Sequence, residues 1–131
     1  MAVVWSNQLI TGITQVDEQH KTIINQFNVL HDHMKMGKGK SEVGNALDFL
    51  ESYTKQHFAD EEKFMEMHNC ELKEVNKKQH AIFIQKIADF KERFEKNPND
   101  ATLVLNVHND LSDWFVNHIL KIDLKMQDCV K

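Results

Sequence analysis

Residues 43–64 read VGNALDFLESYTKQHFADEEKF. Val43, Leu47, Leu50, Tyr53, Thr54, His57, Glu61 and Phe64 recur every three or four positions and follow one drifting face of a helix. That face begins aliphatic and ends with an imidazole and a carboxylate four residues apart, which project from the same side. An unpaired buried polar group costs about 1–3 kcal/mol. A long helix with such a face therefore needs partners for His57 and Glu61.

The same period extends on both sides of this stretch. Before it, Val16, Ile23, Ile24, Phe27 and Leu30 form an apolar stripe. Thr14-Gln-Val-Asp17 has the form of a capping box with aspartate in place of the usual glutamate, and Gly37 and Gly39 are expected to end that helix. Ser41 is the expected N-cap of the second helix, which should run to about Met67. Asn69 is the expected cap of a third helix carrying Leu72, Val75, Gln79, Ile82, Phe83, Ile87, Phe90 and Phe94. Asn97-Pro98-Asn99-Asp100 is a stop followed by a start. A fourth helix then carries Leu103, Val104, Val107, Leu111, Trp114, Phe115, Ile119 and Ile122. Residues 1–13 lack a helical period and are expected to form an ordered arm, with Trp5 and Ile10 packed on the rest.

One proline and four glycines in 131 residues leave few breakers, as long helices require. The pattern predicts an all-α protein, an up-down-up-down four-helix bundle with an N-terminal arm, in a single domain over residues 1–131. With 41% hydrophobic and 27% charged residues, the balance is that of an ordinary globular chain. The net charge of −4 offers no basic surface for nucleic acid. No apolar run approaches the roughly 20 residues that span a bilayer, so no membrane association is expected. Residues 1–10 lack the features of a leader peptide, which points to the cytoplasm. Cys70 and Cys129 form neither a framework nor a CxxC pair, and a reducing compartment suits them. Glu62, Lys63, Glu66, Lys73, Glu74, Lys77 and Lys78 read as solvated faces, and Met34, Met36, Met65 and Met67 as exposed. His31, His33 and His108 read as surface or interface residues.

His57 and Glu61 are not alone on an inward stripe. His20 lies a turn before Ile23 and Ile24, His80 precedes the Ile82/Phe83 pair, and His118 follows Trp114 and Phe115 by one turn. One core histidine is commonplace, but an inward imidazole from each of four helices is better satisfied by a shared metal. Imidazole with carboxylate and no thiolate suits iron, manganese or zinc. More than four ligands exceeds a tetrahedral structural zinc site. Asp123 stands five residues after His118, which in an ideal helix turns its side chain away by about 140°. For both to reach one site, the helix should loosen or bulge near residues 119–123. A ferritin-like di-iron site needs two Glu-x-x-His motifs, and the nearest pattern here is Asp17-x-x-His20.

Trp5, Gly12-Ile13, Val16-Asp-Glu-Gln-His20-Lys, His57-x-x-x-Glu61, Gln79-His80-Ala-Ile-Phe83 and Trp114-Phe-Val-Asn-His118-Ile119 with Asp123 together resemble the hemerythrin family in its short single-domain bacterial form. The resemblance covers nearly the whole chain. It implies two iron ions in a non-haem di-iron centre: His20 and His57 on the iron that takes dioxygen, His80 and His118 on the other. Glu61 and Asp123 would bridge them beside an oxo or hydroxo bridge. Ile23, Phe58, Trp114, Phe115 and Ile119 would line the dioxygen pocket. There is one departure. The family carries a histidine four residues before that of the third helix, and this chain has Asn76 there. Asn76 would lend its carbonyl oxygen or leave a position to solvent, with lower iron occupancy or faster oxidation expected. The implied function is reversible dioxygen binding for storage, delivery or sensing, the last through a protein partner. The competing readings are a di-iron enzyme acting on peroxide or nitric oxide, and an iron store.

Overall fold

The stripes dictate where the helices lie. The structure, a computed structural model, describes residues 5–37 and 40–129, without the side chains of Lys40 and His108. Helix α1 spans Thr14–Lys35, α2 Lys40–Met67 and α3 Lys73–Lys96. The fourth helix, α4, occupies residues 102–121 in three pieces: α-helical Thr102–Asn106, π-helical Val107–Ser112 and α-helical Asp113–Lys121. A 3-10 turn, Asp123–Lys125, and a short helix α5, Met126–Cys129, follow. No strand occurs among the described residues.

Cross-helix contacts fix the directions. Gln19 and His20, early in α1, meet Asp60 and Glu61, late in α2. Along α2 and α3, Glu51 pairs with Lys91 and Glu61 with His80, so the numbers run in opposite senses. Between α3 and α4, Arg93 reaches Thr102 while His80 faces His118. Helix α4 also packs on α1, which closes the bundle. The up-down-up-down four-helix expectation holds. One large apolar cluster, including Ile23, Phe27, Leu30, Leu47, Leu50, Phe83, Ile87, Leu111 and Phe115, fills most of the interior. A smaller one, Val16, Met65, Cys70 and Met126, sits near the α2–α3 turn.

Several element ends differ from the expectations. Thr14 is the first residue of α1 and makes no capping box; the N-cap is Ile13, with no side-chain bond. Asp17 reaches back instead and accepts from Thr11 N and Thr11 Oγ1, each at 2.8 Å, and from Gly12 N at 3.2 Å. That carboxylate pins the arm to the bundle. In the arm Leu9 is buried and Ile10 exposed, while Trp5 packs on the core beneath Lys21. Gly37, at φ +71, turns the chain out of α1, and Gly39 lies outside the described residues. Ser41 falls inside α2. Asn69 takes a positive φ of 53 and makes the α2–α3 turn, because asparagine tolerates the left-handed region, and Leu72 occupies the N-cap. Val75 and Ile82 are exposed; the buried face of α3 is Asn76, His80, Phe83, Ile87, Phe90 and Phe94. Met65 is buried in the smaller cluster, and Met34 packs against the larger one.

The cysteine reading is also overturned: Cys70 and Cys129 form a disulfide across a sequence separation of 59, with Cα atoms 5.3 Å apart. The folded chain brings the α2–α3 turn beside α5, a proximity the spacing alone does not reveal. The argument from free thiols to a reducing compartment therefore falls. No helix among the described residues is long and apolar enough to cross a membrane.

Helix α4 departs from ideal geometry for a reason. Its buried apolar residues Leu103, Val107, Leu111, Phe115 and Ile119 are spaced by four throughout. In an ideal α-helix each such step drifts by about 40°. The wider turn at Val107–Ser112 absorbs that drift and keeps the row facing the core.

Candidate metal centre

Each helix brings its polar group to one level of the bundle. His57 and Glu61 stand one turn apart on α2, His20 comes from α1, His80 from α3 and His118 from the last turn of α4. Asp123 arrives from beyond the end of α4. There Ile122 leaves the helical path at φ −115, ψ −58, and the chain re-enters as a 3-10 turn. The loosening expected between residues 119 and 123 is present as this break, while the π-helical widening lies further up, at Val107–Ser112. All six side chains are buried.

The oxygens of the two carboxylates divide between the imidazoles. Glu61 Oε2 lies 3.1 Å from His20 Nε2 and 3.0 Å from His57 Nε2. Glu61 Oε1 lies 3.1 Å from His80 Nε2. Asp123 Oδ2 lies 3.1 Å from His20 Nε2, and Oδ1 lies 3.3 Å from His118 Nε2. Two overlapping groups result. His20, His57, Glu61 and Asp123 offer ligand atoms all within 4.8 Å of one another, and so do Glu61, His80, His118 and Asp123. Four of the atoms at the centre, His57 Nε2, His118 Nε2 and both oxygens of Asp123, are buried without a hydrogen-bond partner. Such groups are rare unless something else satisfies them. Nitrogen and oxygen lone pairs this close, only two of the pairs aligned as hydrogen bonds, suit cations held between them.

Without metal, the carboxylates favour protonated imidazoles at His20 and His80. Burial opposes charging His20, but the carboxylates of Asp123 and Glu61, each with an oxygen 3.1 Å from its Nε2, push its pKa from 6.5 up to about 9. Burial likewise opposes charging His80, and Glu61 followed by Glu62 raises it. For Glu61 burial acts upward, yet the imidazoles of His57, His20 and His80 gathered around it hold the carboxyl well below its ordinary range.

A second layer orients the rings. His57 Nδ1 lies 2.6 Å from Gln19 Oε1, and Gln19 Nε2 donates to Asp60 Oδ2 at 2.9 Å. Gln56 Nε2 donates to the other oxygen of Asp60. His80 Nδ1 lies 2.8 Å from Glu62 Oε2, so Glu62 is no idle surface residue. The sequence reading missed Gln19, Asp60 and Glu62. The available signal was the need of a ligating imidazole for an acceptor on its outer nitrogen.

Of the expected lining, Phe58 lies on His80, and Trp114 stacks on His118 at 5.0 Å with planes 7° apart. Phe115 meets His20 edge-on at 5.5 Å, and Ile23 and Ile119 are fully buried. Asn76 is buried beside Glu61, with Nδ2 3.4 Å from Glu61 Oε1 and 3.3 Å from Met65 Sδ. His31 and His33 are half-buried away from the centre, and the side chain of His108 is outside the description. His68 is exposed against Phe64.

The family model of the hemerythrin HHE cation binding domain matches residues 11–130.

The chain belongs to the hemerythrin family.

It is similar to the bacteriohemerythrin of Pseudomonas paraeruginosa, with 33% identity over 98% of this chain and 82% of that one. It is also similar to the bacteriohemerythrin of Methylococcus capsulatus, at 32% identity over 92% of this chain and 89% of the other. Among solved structures, a crystal structure of a leucine-to-phenylalanine mutant superposes with a TM-score of 0.85 at 32% identity, covering 99% of this chain and 98% of its own. The hemerythrin fold thus accounts for the four helices, and the family's cation-binding domain coincides with the buried donor groups.

Proposed function

We propose that this hemerythrin-family chain is a non-haem di-iron protein that binds dioxygen reversibly, acting as one domain across residues 1–131. One observation carries the reading: two pairs of imidazoles share Glu61 and Asp123, and each carboxylate turns a different oxygen to each pair. The donor set of nitrogen and oxygen without sulfur suits iron. His20 and His57 would hold one iron and His80 and His118 the other, with Glu61 and Asp123 bridging beside an oxo or hydroxo group. When bound, the irons supply the electrons and Lewis acidity that side chains lack for dioxygen.

The chain's own residues do the rest. Gln19 and Glu62 fix the outer nitrogens of His57 and His80, which holds their inner lone pairs toward the centre. Phe58 and Trp114 hold the planes of His80 and His118. Phe115, fully buried and edge-on to both rings, shields the face of His20 and His57 from water, and Ile23 and Ile119 are fully buried in the same apolar cluster. On this reading the protein is a carrier rather than an enzyme, serving storage, delivery or, through a protein partner, sensing. Cytoplasmic residence belongs to the same proposal, and the state of Cys70 and Cys129 in cells tests it: free thiols support it, and a persistent disulfide places the chain in an oxidising compartment.

The deciding experiment is anaerobic reconstitution with ferrous iron, metal analysis, and optical spectra through cycles of oxygen and argon. Two irons per chain and a visible band that appears and disappears with oxygen are expected. Irreversible bleaching with turnover of peroxide or nitric oxide would establish an enzyme instead. Iron accumulating beyond two per chain would establish a store.

A further inference from the structure

The two metal positions have matching protein donors. Each draws on two imidazoles and on one oxygen from each of two carboxylates: His20, His57, Glu61 Oε2 and Asp123 Oδ2 on one side, His80, His118, Glu61 Oε1 and Asp123 Oδ1 on the other. Asn76 is the residue placed to break this equality. It stands one turn before His80 on α3, and it is fully buried.

The amide of Asn76 presents its nitrogen. Nδ2 faces Glu61 Oε1 at 3.4 Å and Met65 Sδ at 3.3 Å. Both neighbours are acceptors, so turning the amide over would set oxygen against oxygen and sulfur. Partner chemistry therefore fixes the orientation. An amide nitrogen has its lone pair committed to the C–N bond and gives none to a metal. Asn76 Oδ1, meanwhile, is buried with no partner.

We propose that Asn76 is a positioning residue that donates to the bridging carboxylate and does not ligate, so that both metals keep four protein donors and each presents an exchangeable position to a small anion. The inference rests on the di-iron reading above. An octahedral ion with four protein donors and a share in one bridging ligand has one position left. Surface clefts lie against the outer sides of His80 and His118. His80 borders a surface cleft with Lys55, Lys77 and Glu62, and His118 borders another with Gln79, Asn117 and Lys121. Three of those neighbours are cationic, which favours an incoming anion.

Azide titration of the iron-loaded, oxidised chain tests this, read by absorbance alongside metal analysis. Two irons and two azides per chain are expected. Asn76→His supplies a fifth protein donor and should cut azide uptake to one with iron still at two. Asn76→Ala, which removes the donor without adding a ligand, should still take two azides and decides the matter if the histidine variant fails to fold. One azide on an unaltered chain holding two irons overturns the inference and leaves the di-iron reading standing. Two azides on a folded Asn76→His variant, or one on Asn76→Ala, overturns the role given to Asn76. Fewer than two irons in the unaltered chain overturns the di-iron reading, and this inference with it.

Discussion

The phenyl ring of Phe58 lies flat on the imidazole of His80, with centroids 3.8 Å apart and planes 7° apart. Phe58 follows His57 directly in α2, so two consecutive residues serve opposite halves of the cage: one offers a donor, the next holds the plane of a donor from another helix. The ring also meets Phe83 edge-on at 5.7 Å, which ties that imidazole to the large apolar cluster.

Phe58→Leu keeps most of the buried area and removes the stacking. Loss of an aromatic pair of this kind costs about 0.5–1.5 kcal/mol. The metal-free variant should unfold a few degrees lower, and its metal should exchange faster from the His80 side. Calorimetry and isotope exchange of bound metal check the two effects separately.

Glu62 acts through the outer nitrogen of His80. Removing such a partner typically costs about 10–100-fold in metal affinity. Glu62→Ala should show that loss, and Glu62→Gln, which can still accept from the ring, should show less of it. Competition with a chelator measures both, and equal affinities for all three chains would refute the role.

The metal-free chain should lose stability as the solution turns alkaline. His20 titrates at about 9 in the folded state against an ordinary 6.5, and His80 is shifted the same way. A raised pKa contributes stability that is complete below the unfolded value and disappears as pH climbs through the folded one. Thermal midpoints of the metal-free protein should therefore decline between pH 6.5 and about 9. A flat profile over that window would show that the imidazoles carry no such protons.

Reduction of Cys70–Cys129 releases a loop closed over a separation of 59 residues. The chain-entropy estimate for a loop of that length is about 4 kcal/mol. Treatment with a reductant should lower the thermal midpoint by roughly 10 °C or more. Cys70→Ser should reproduce the drop, and reductant should then do nothing further to that variant.

Much of this was legible in the chain because the relevant signals are periodic. The stripes of α1 and α2 carry their buried residues at helical spacing, and His20, His57 and Glu61 fall on those stripes although they are polar, as His80 and His118 do on α3 and α4. Asp123 needed a break in the helix, and its offset from His118 announced one. In α3, by contrast, the apolar stripe includes Val75, which the structure exposes, and leaves out polar Asn76, which it buries and which only the family resemblance brings to the site. Hydrophobicity misleads where a polar side chain has a partner from another helix. The strict spacing of four from Leu103 to Ile119 was visible and held the signal for the π-helical stretch. The disulfide and the Glu62–His80 pair depend on how distant segments meet, and no local pattern encodes either.

The break at Ile122 places Asp123 on the last segment to be synthesised among the donors, whereas His20 is the first. During translation, helices α1 to α3 can emerge from the ribosome and pack while this carboxylate is still in the tunnel. Neither half of the cage has its full complement until it arrives, since both halves use Asp123. Loading is thereby deferred until the segment that carries Asp123 has been made, because neither half of the cage is complete without it.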